Sequence, residues 1–159
     1  MAMFSQTAEY ALRAMVVLAA TPGDSAQSSE VVAERTKVPK HYLSKILRDL
    51  CEVGLVIAQR GPNGGFQLAR TPERISILDV INAVEPIGRI RECPLGNPDH
   101  VKLCPLHRRL DDAMLMIEHS LGGTSLAELR DTEKRSKSSC SSLCQLPPTR
   151  RGVDGDRPL

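Results

Sequence analysis

A chain of 159 residues, 41% of them hydrophobic, fits one small domain with appendages. Aromatic residues make up only 3% and tryptophan is absent, so the core must be mainly aliphatic. A net charge of +2 does not by itself diagnose a nucleic-acid binder, and no run approaches the roughly 18 consecutive apolar residues of a membrane span. Met1 to Gln6 lacks the basic-then-apolar pattern of a signal peptide, so a cytoplasmic location away from membranes is expected. In that compartment the five cysteines (Cys51, Cys93, Cys104, Cys140 and Cys144) are reduced, and their odd number argues against a closed disulfide framework.

The first predicted helix runs from Gln6 to Ala20, with Leu12, Met15, Val16 and Ala19 at helical spacing. It is apolar almost all round, the mark of a helix buried on most sides. Thr21 to Ala26 reads as a Pro/Gly/Asp loop. Ser28 or Ser29 then caps a short helix carrying Val31, Val32 and Ala33. Val38-Pro39 interrupts it, and Pro39 suits the first turn of the next helix, where a missing N–H costs nothing.

That next helix, Pro39 to Val53, is strongly amphipathic. Leu43, Ile46, Leu47 and Leu50 form an apolar stripe, and His41, Ser44, Lys45 and Arg48 repeat the same spacing on another face. Gly54 ends it. Leu55–Arg60 and Phe66–Arg70 read as strands joined by Gly61-Pro62-Asn63-Gly64-Gly65, a hairpin pattern. Ser76 opens a further helix, with Asp79 at the capping-box position, and Pro86 stops it. Ile87 to Leu103 is irregular. A long helix from Cys104 or Pro105 to Leu121 has Leu106, Leu110, Ala113, Met114, Ile117 and Leu121 on its apolar side. Ser125 to Arg130 adds a short one, and the Ser/Lys/Arg/Pro/Gly-rich tail is expected to be disordered.

A short helix, a tight turn, a helix with an exposed polar and basic face, then a hairpin is the order of a winged helix-turn-helix. The fold class expected is therefore mainly α with a small β-hairpin, plus a long dimerisation helix. The expected divisions are a DNA-binding unit over 1–85, a Cys/His loop over 86–104, a dimerisation region over 105–131 and a tail over 132–159. The major groove admits one helix, whose exposed side chains read base edges. His41, Ser44, Lys45 and Arg48 occupy such a face. Arg60, Asn63 and Arg70 in and beside the hairpin suit contacts to phosphates or the minor groove. A second copy would place two reading helices on adjacent half-sites.

Glu9-Tyr10-Ala11-Leu12-Arg13-Ala14, Tyr42-Leu43-Ser44-Lys45-Ile46-Leu47, Gly54-Leu55-Val56 and Arg60-Gly61-Pro62-Asn63-Gly64-Gly65-Phe66-Gln67-Leu68-Ala69-Arg70 resemble the IscR/NsrR-type winged-helix transcriptional regulators of the Rrf-two family. The likeness runs from about Phe4 to Leu121. Its most specific part is the wing motif followed by Ile77-Leu78-Asp79-Val80-Ile81. It implies a homodimer, a palindromic double-stranded DNA operator and, in many members, an iron–sulfur cluster held by three cysteines of the irregular loop. This chain keeps the first, Cys93, and the last, Cys104, with Gly96, Asn97, Pro98, Asp99 and His100 between them.

Imidazoles can replace two thiolates in a [2Fe–2S] centre, so His107, one turn after Cys104, and His100 in the loop are the candidates to complete it. The resemblance also implies that Glu9 can reach the partner subunit's cluster. Two thiolates and two imidazoles would equally suit zinc, and a cluster-free regulator working through thiol chemistry or a protein partner is the remaining alternative. Cys51 reads as a packing residue. No Ser/His/Asp set, P-loop or paired acid/base carboxylates point to an enzyme.

Overall fold

The Ser5 hydroxyl accepts a hydrogen bond from the Ala8 N–H and starts helix α1 (Gln6–Ala19). Alanines and valines occupy most of its length. Ala11, Ala14, Met15, Val16 and Val17 are almost wholly buried, which makes α1 the hub on which α2 (Ser29–Thr36), α3 (Lys40–Glu52), α4 (Ile77–Val84) and α6 (Leu126–Arg135) pack. Between these lie the hairpin strands β1 (Val56–Gln59) and β2 (Gly65–Leu68), a single 3₁₀ turn at Pro72–Arg74, and the long helix α5 (Pro105–Gly122). This computed structural model describes residues 4–21, 25–61, 64–92 and 103–135.

Helices α2 and α3 are joined by one turn. Ser28 caps α2, and Lys37 ends it in the left-handed conformation at φ 56°. Pro39 stands just ahead of α3 with extended ψ, and its carbonyl accepts from the Tyr42 and Leu43 N–H groups. The predicted helix therefore begins one residue later, because Pro39 serves as its cap. At the other end the Leu55 N–H reaches the Leu50 carbonyl and the Gly54 N–H reaches Cys51, with Gly54 at φ 71°. This pair of bonds closes the helix end and turns the chain directly into β1.

The hairpin is antiparallel, with Val56 opposite Leu68 and Gln59 opposite Gly65. Its strands are shorter than predicted, and Arg60 and Arg70 lie just outside them. A third segment joins the hairpin. Gln27 exchanges both backbone hydrogen bonds with Phe66, at 2.9 and 2.8 Å, tying the stretch between α1 and α2 to the wing.

Helix α4 begins at the predicted capping box of Ser76 and Asp79. Helix α6 extends to Arg135, further than the predicted Ser125–Arg130 and past the point where the tail was expected to lose structure. Ser125 and Glu128 form a reciprocal cap at its start, and Leu126 and Ala127 are buried, so the helix is anchored by both cap and core. Residues 136–159, with Cys140 and Cys144, lie outside the described residues.

Candidate nucleic-acid interface and Cys/His site

On α3 the two stripes of the sequence separate cleanly. Leu43, Ile46, Leu47 and Leu50 are at most 1% exposed and enter the core with Val32, Val38 and Leu55. His41, Ser44, Lys45 and Arg48 are all exposed on the outer face. The Ser44 hydroxyl donates to the Lys40 carbonyl at 2.9 Å, leaving its lone pairs outward. Arg48, itself exposed, lies 3.8 Å from both half-buried Asp49 and exposed Glu52, long contacts that hold it only weakly. The His41 ring lies 4.2 Å from that of Tyr42, and Tyr42 meets Tyr10 of α1 edge-on at 6.3 Å. Tyr42 is half exposed, so the tyrosine pair props the start of α3 on α1 while leaving an aromatic edge outside.

Sequence reasoning missed a second brace. Glu30 of α2 accepts a hydrogen bond from the Lys40 ammonium at 2.9 Å, and Lys40 holds the carboxyl down at about 2. It links the two helices of the helix-turn-helix, and its ten-residue spacing follows no local rule. Arg60 and Arg70 are exposed and form no ion pair among the described residues. Asn63 lies outside them. The outer face of α3 thus presents Lys45 and Arg48, and the hairpin roots present Arg60 and Arg70.

Of the Cys/His candidates the structure brings one pair together. Cys104 caps α5 without using its side chain as the cap, and its Sγ lies 3.2 Å from His107 Nδ1. Thiolate and imidazole are both ligands for iron–sulfur centres and for zinc, so the pair offers two suitable donors side by side. Cys93 and His100 lie outside the described residues. Glu9 is engaged one turn along its own helix by Arg13, which is only 7% exposed and stacks 5.7 Å from the Tyr10 ring centre. Among the described residues no group of three or more His, Cys, Asp or Glu side chains is arranged to hold a metal ion. Cys51 is half-buried among core residues, where burial pushes its thiol up, in keeping with a packing role.

Helix α5 contains no fully buried residue. Met114, Ile117 and Leu121 are half-buried on the side toward α4, whereas Leu106, Leu110 and Met116 are 64%, 47% and 73% exposed. The predicted single apolar side is therefore divided, and its first half is uncovered in one chain. No helix among the described residues is long and apolar enough to cross a membrane.

Comparison with known proteins agrees with this architecture. An Aquifex aeolicus protein named as an HTH-type transcriptional regulator is 30% identical over 141 residues, covering 83% of this chain and 94% of its own. The IscR structure of T. potens superposes with a TM-score of 0.70 at 27% identity, over 87% of this chain and 93% of that one. CymR, the global cysteine regulator of B. subtilis, gives 0.66 at 28% identity, over 83% and 98%. The sequence profile of the Rrf2 family, described as iron-dependent transcriptional regulators, matches residues 4–132. This chain belongs to the Rrf2 family of DNA-binding transcriptional regulators.

Proposed function

We propose that this regulator binds a palindromic operator as a homodimer, with α3 in the major groove and the hairpin beside it. His41, Ser44, Lys45 and Arg48 meet base edges and phosphates, and Arg60, Asn63 and Arg70 meet the flanking backbone or minor groove. The observation that carries this reading is the exposed stripe of α3, opposite three leucines and one isoleucine sunk in the core. Leu106 and Leu110, one turn apart on the same face of α5 and both uncovered, support pairing of two copies, because a contiguous apolar stripe facing water marks an interaction surface. The divisions follow: 1–85 binds DNA, 86–104 senses, 105–131 dimerises and 132–159 is a tail.

Binding of the purified protein to genomic fragments tests this reading. Affinity should fall steeply with salt, since cations that meet phosphates release counterions. A dimer that prefers no fragment in any cofactor state overturns it.

The regulatory group is read as an iron–sulfur cluster of the [2Fe–2S] type. Cys93, Cys104 and His107 are its ligands from one chain, with His100 or the partner subunit's Glu9 completing the set. The family's iron-dependent description and the contact between Cys104 and His107 support this. Such a cluster supplies a centre that reacts with oxidants or nitric oxide. Arg13 engages one carboxylate oxygen of Glu9, and the other is the one that would ligate. Zinc is the second reading, favoured by the same thiolate–imidazole contact. Iron and acid-labile sulfide in anaerobically purified protein decide between them. Colourless protein that carries zinc instead removes the cluster and leaves DNA binding standing.

A further inference from the structure

Away from the Cys/His pair, the hairpin meets the end of α1 and the side of α6. The chain leaves α1 at Thr21, whose hydroxyl donates to the Val17 carbonyl at 3.1 Å. Beyond β2 the chain passes through Ala69 and Arg70 into the 3₁₀ turn at Pro72–Arg74, and α6 packs on that turn. Together these segments line a cavity of about 450 Å³, within the roughly 300–1,000 Å³ that small-molecule sites occupy. Leu18, Ala19, Leu68 and Pro72 give it an apolar wall. The charged side chains that line it are two guanidinium groups, Arg70 and Arg130, and among the described residues no carboxylate does so.

The polar groups of this lining are not matched to one another. Arg70 is exposed and forms no ion pair among the described residues. Arg130, whose side chain is 22% exposed, turns Nε and Nη2 to Asp131 and lies 3.7 Å from Glu73 through Nη2. Its Nη1 makes no bond among the described residues. Gln67, on β2 opposite Ile57, has the opposite need. Its Oε1 is buried and accepts no hydrogen bond among the described residues. A buried acceptor without a donor is costly, because it has given up water for nothing.

A molecule that satisfies both must bring a negative charge and a hydrogen-bond donor. The planar guanidinium fork matches a carboxylate, and a hydroxyl or ammonium group is the donor that a carbonyl oxygen takes. We propose that this cavity binds a short carboxylic acid bearing a hydroxyl or ammonium group, the class of hydroxy and amino acids, and that the bound acid lowers operator affinity. Arg70 and Arg130 hold the carboxylate, and Gln67 Oε1 takes the donor. Only the effect on the operator rests on the reading of Arg70 as a DNA contact. An acid that engages Arg70 withdraws a cation from the DNA backbone and puts a negative charge at the hairpin root.

Binding is measured first without DNA, on full-length protein at constant ionic strength. The probes are the standard amino acids with glycolate, lactate and malate. Acetate carries the charge without the donor, and inorganic phosphate is the general-anion control. At least one amino or hydroxy acid should raise the melting temperature and bind at low-millimolar concentration or below by calorimetry. Gln67→Met, which keeps the length of the side chain and removes the acceptor, should weaken that binding about fivefold or more. Arg130→Gln should do the same, so either variant decides the matter if the other folds poorly. Absence of binding by every probe, unchanged affinity in the variants, or equal affinity for acetate or phosphate overturns the site.

Operator binding is measured next. The acid should weaken it about threefold or more in wild type and leave it unchanged in Gln67→Met. Acid binding with unaltered operator affinity keeps the site and overturns its link to Arg70. Acid binding by a protein that prefers no genomic fragment also keeps the site, and sinks the DNA reading instead.

Discussion

Gly65 shows how one atom can decide where a wing sits. A Cβ built there would lie 2.3 Å from the Gln27 carbonyl oxygen, so the bridge between Gln27 and Phe66 requires a residue without a side chain. Gly65→Ala should destabilise the protein by more than about 1 kcal/mol and free the hairpin from the chain ahead of α2. Urea unfolding and amide exchange at Phe66 measure the two effects. Lys45 makes the opposite case. It is exposed and outside the core, so Lys45→Ala should leave stability within about 0.5 kcal/mol of wild type. DNA affinity should fall for all sequences alike, with the salt slope shallower by about one, as expected for a lost phosphate contact. Unchanged affinity in an anisotropy titration would remove Lys45 from the interface. The exposed stripe was legible from spacing alone. Gly65 could be read as a turn residue, but its contact with Gln27 could not, because the two lie on separate segments.

At the scale of elements, the reading helix is held in two ways. Leu47 is fully buried under it, and Leu47→Ala should cost about 2–5 kcal/mol through lost burial and the cavity left behind, measurable by denaturant midpoint. The brace from Glu30 to Lys40 contributes differently. Its carboxyl is held at about 2, below its ordinary 4.5, so its stabilisation is present above pH 4.5 and disappears as pH falls toward 2. Glu30→Gln should therefore melt lower than wild type at neutral pH, and the gap should close in acid. Both residues are exposed, so the gap is small and shrinks with salt. A gap that persists at the lowest pH would assign the loss to something other than the charge. Local rules foresaw the Ser76 capping box. The sequence also started a helix at Ser125, where the same Ser-x-x-Glu pattern forms the cap; the polar, Ser-rich tail concealed its continuation to Arg135.

For the whole molecule, α5 carries one apolar stripe whose second half packs toward α4 and whose first half, Leu106 and Leu110, stands uncovered. Leu110→Asp should leave the monomer folded, since Leu110 is 47% exposed, but shift the protein from dimer to monomer in light scattering. Loss of the second reading helix would then weaken operator binding by at least about tenfold, because two linked half-sites reinforce each other. A dimer that survives the substitution would place the interface elsewhere.

The sequence by itself determined the order of elements, the Ser76 capping box and the separation of α3 into buried and exposed stripes. Each of these depends on residues within a turn or two of one another, where helical and strand periodicity acts directly. Only the tertiary structure decided that Glu30 meets Lys40, that Gln27 pairs with the wing, that Arg13 is buried and takes Glu9, and that Arg89 grips α5. Those contacts join segments, or choose which face of a helix turns inward, and they exist only once α1 has become the common surface on which the other helices pack.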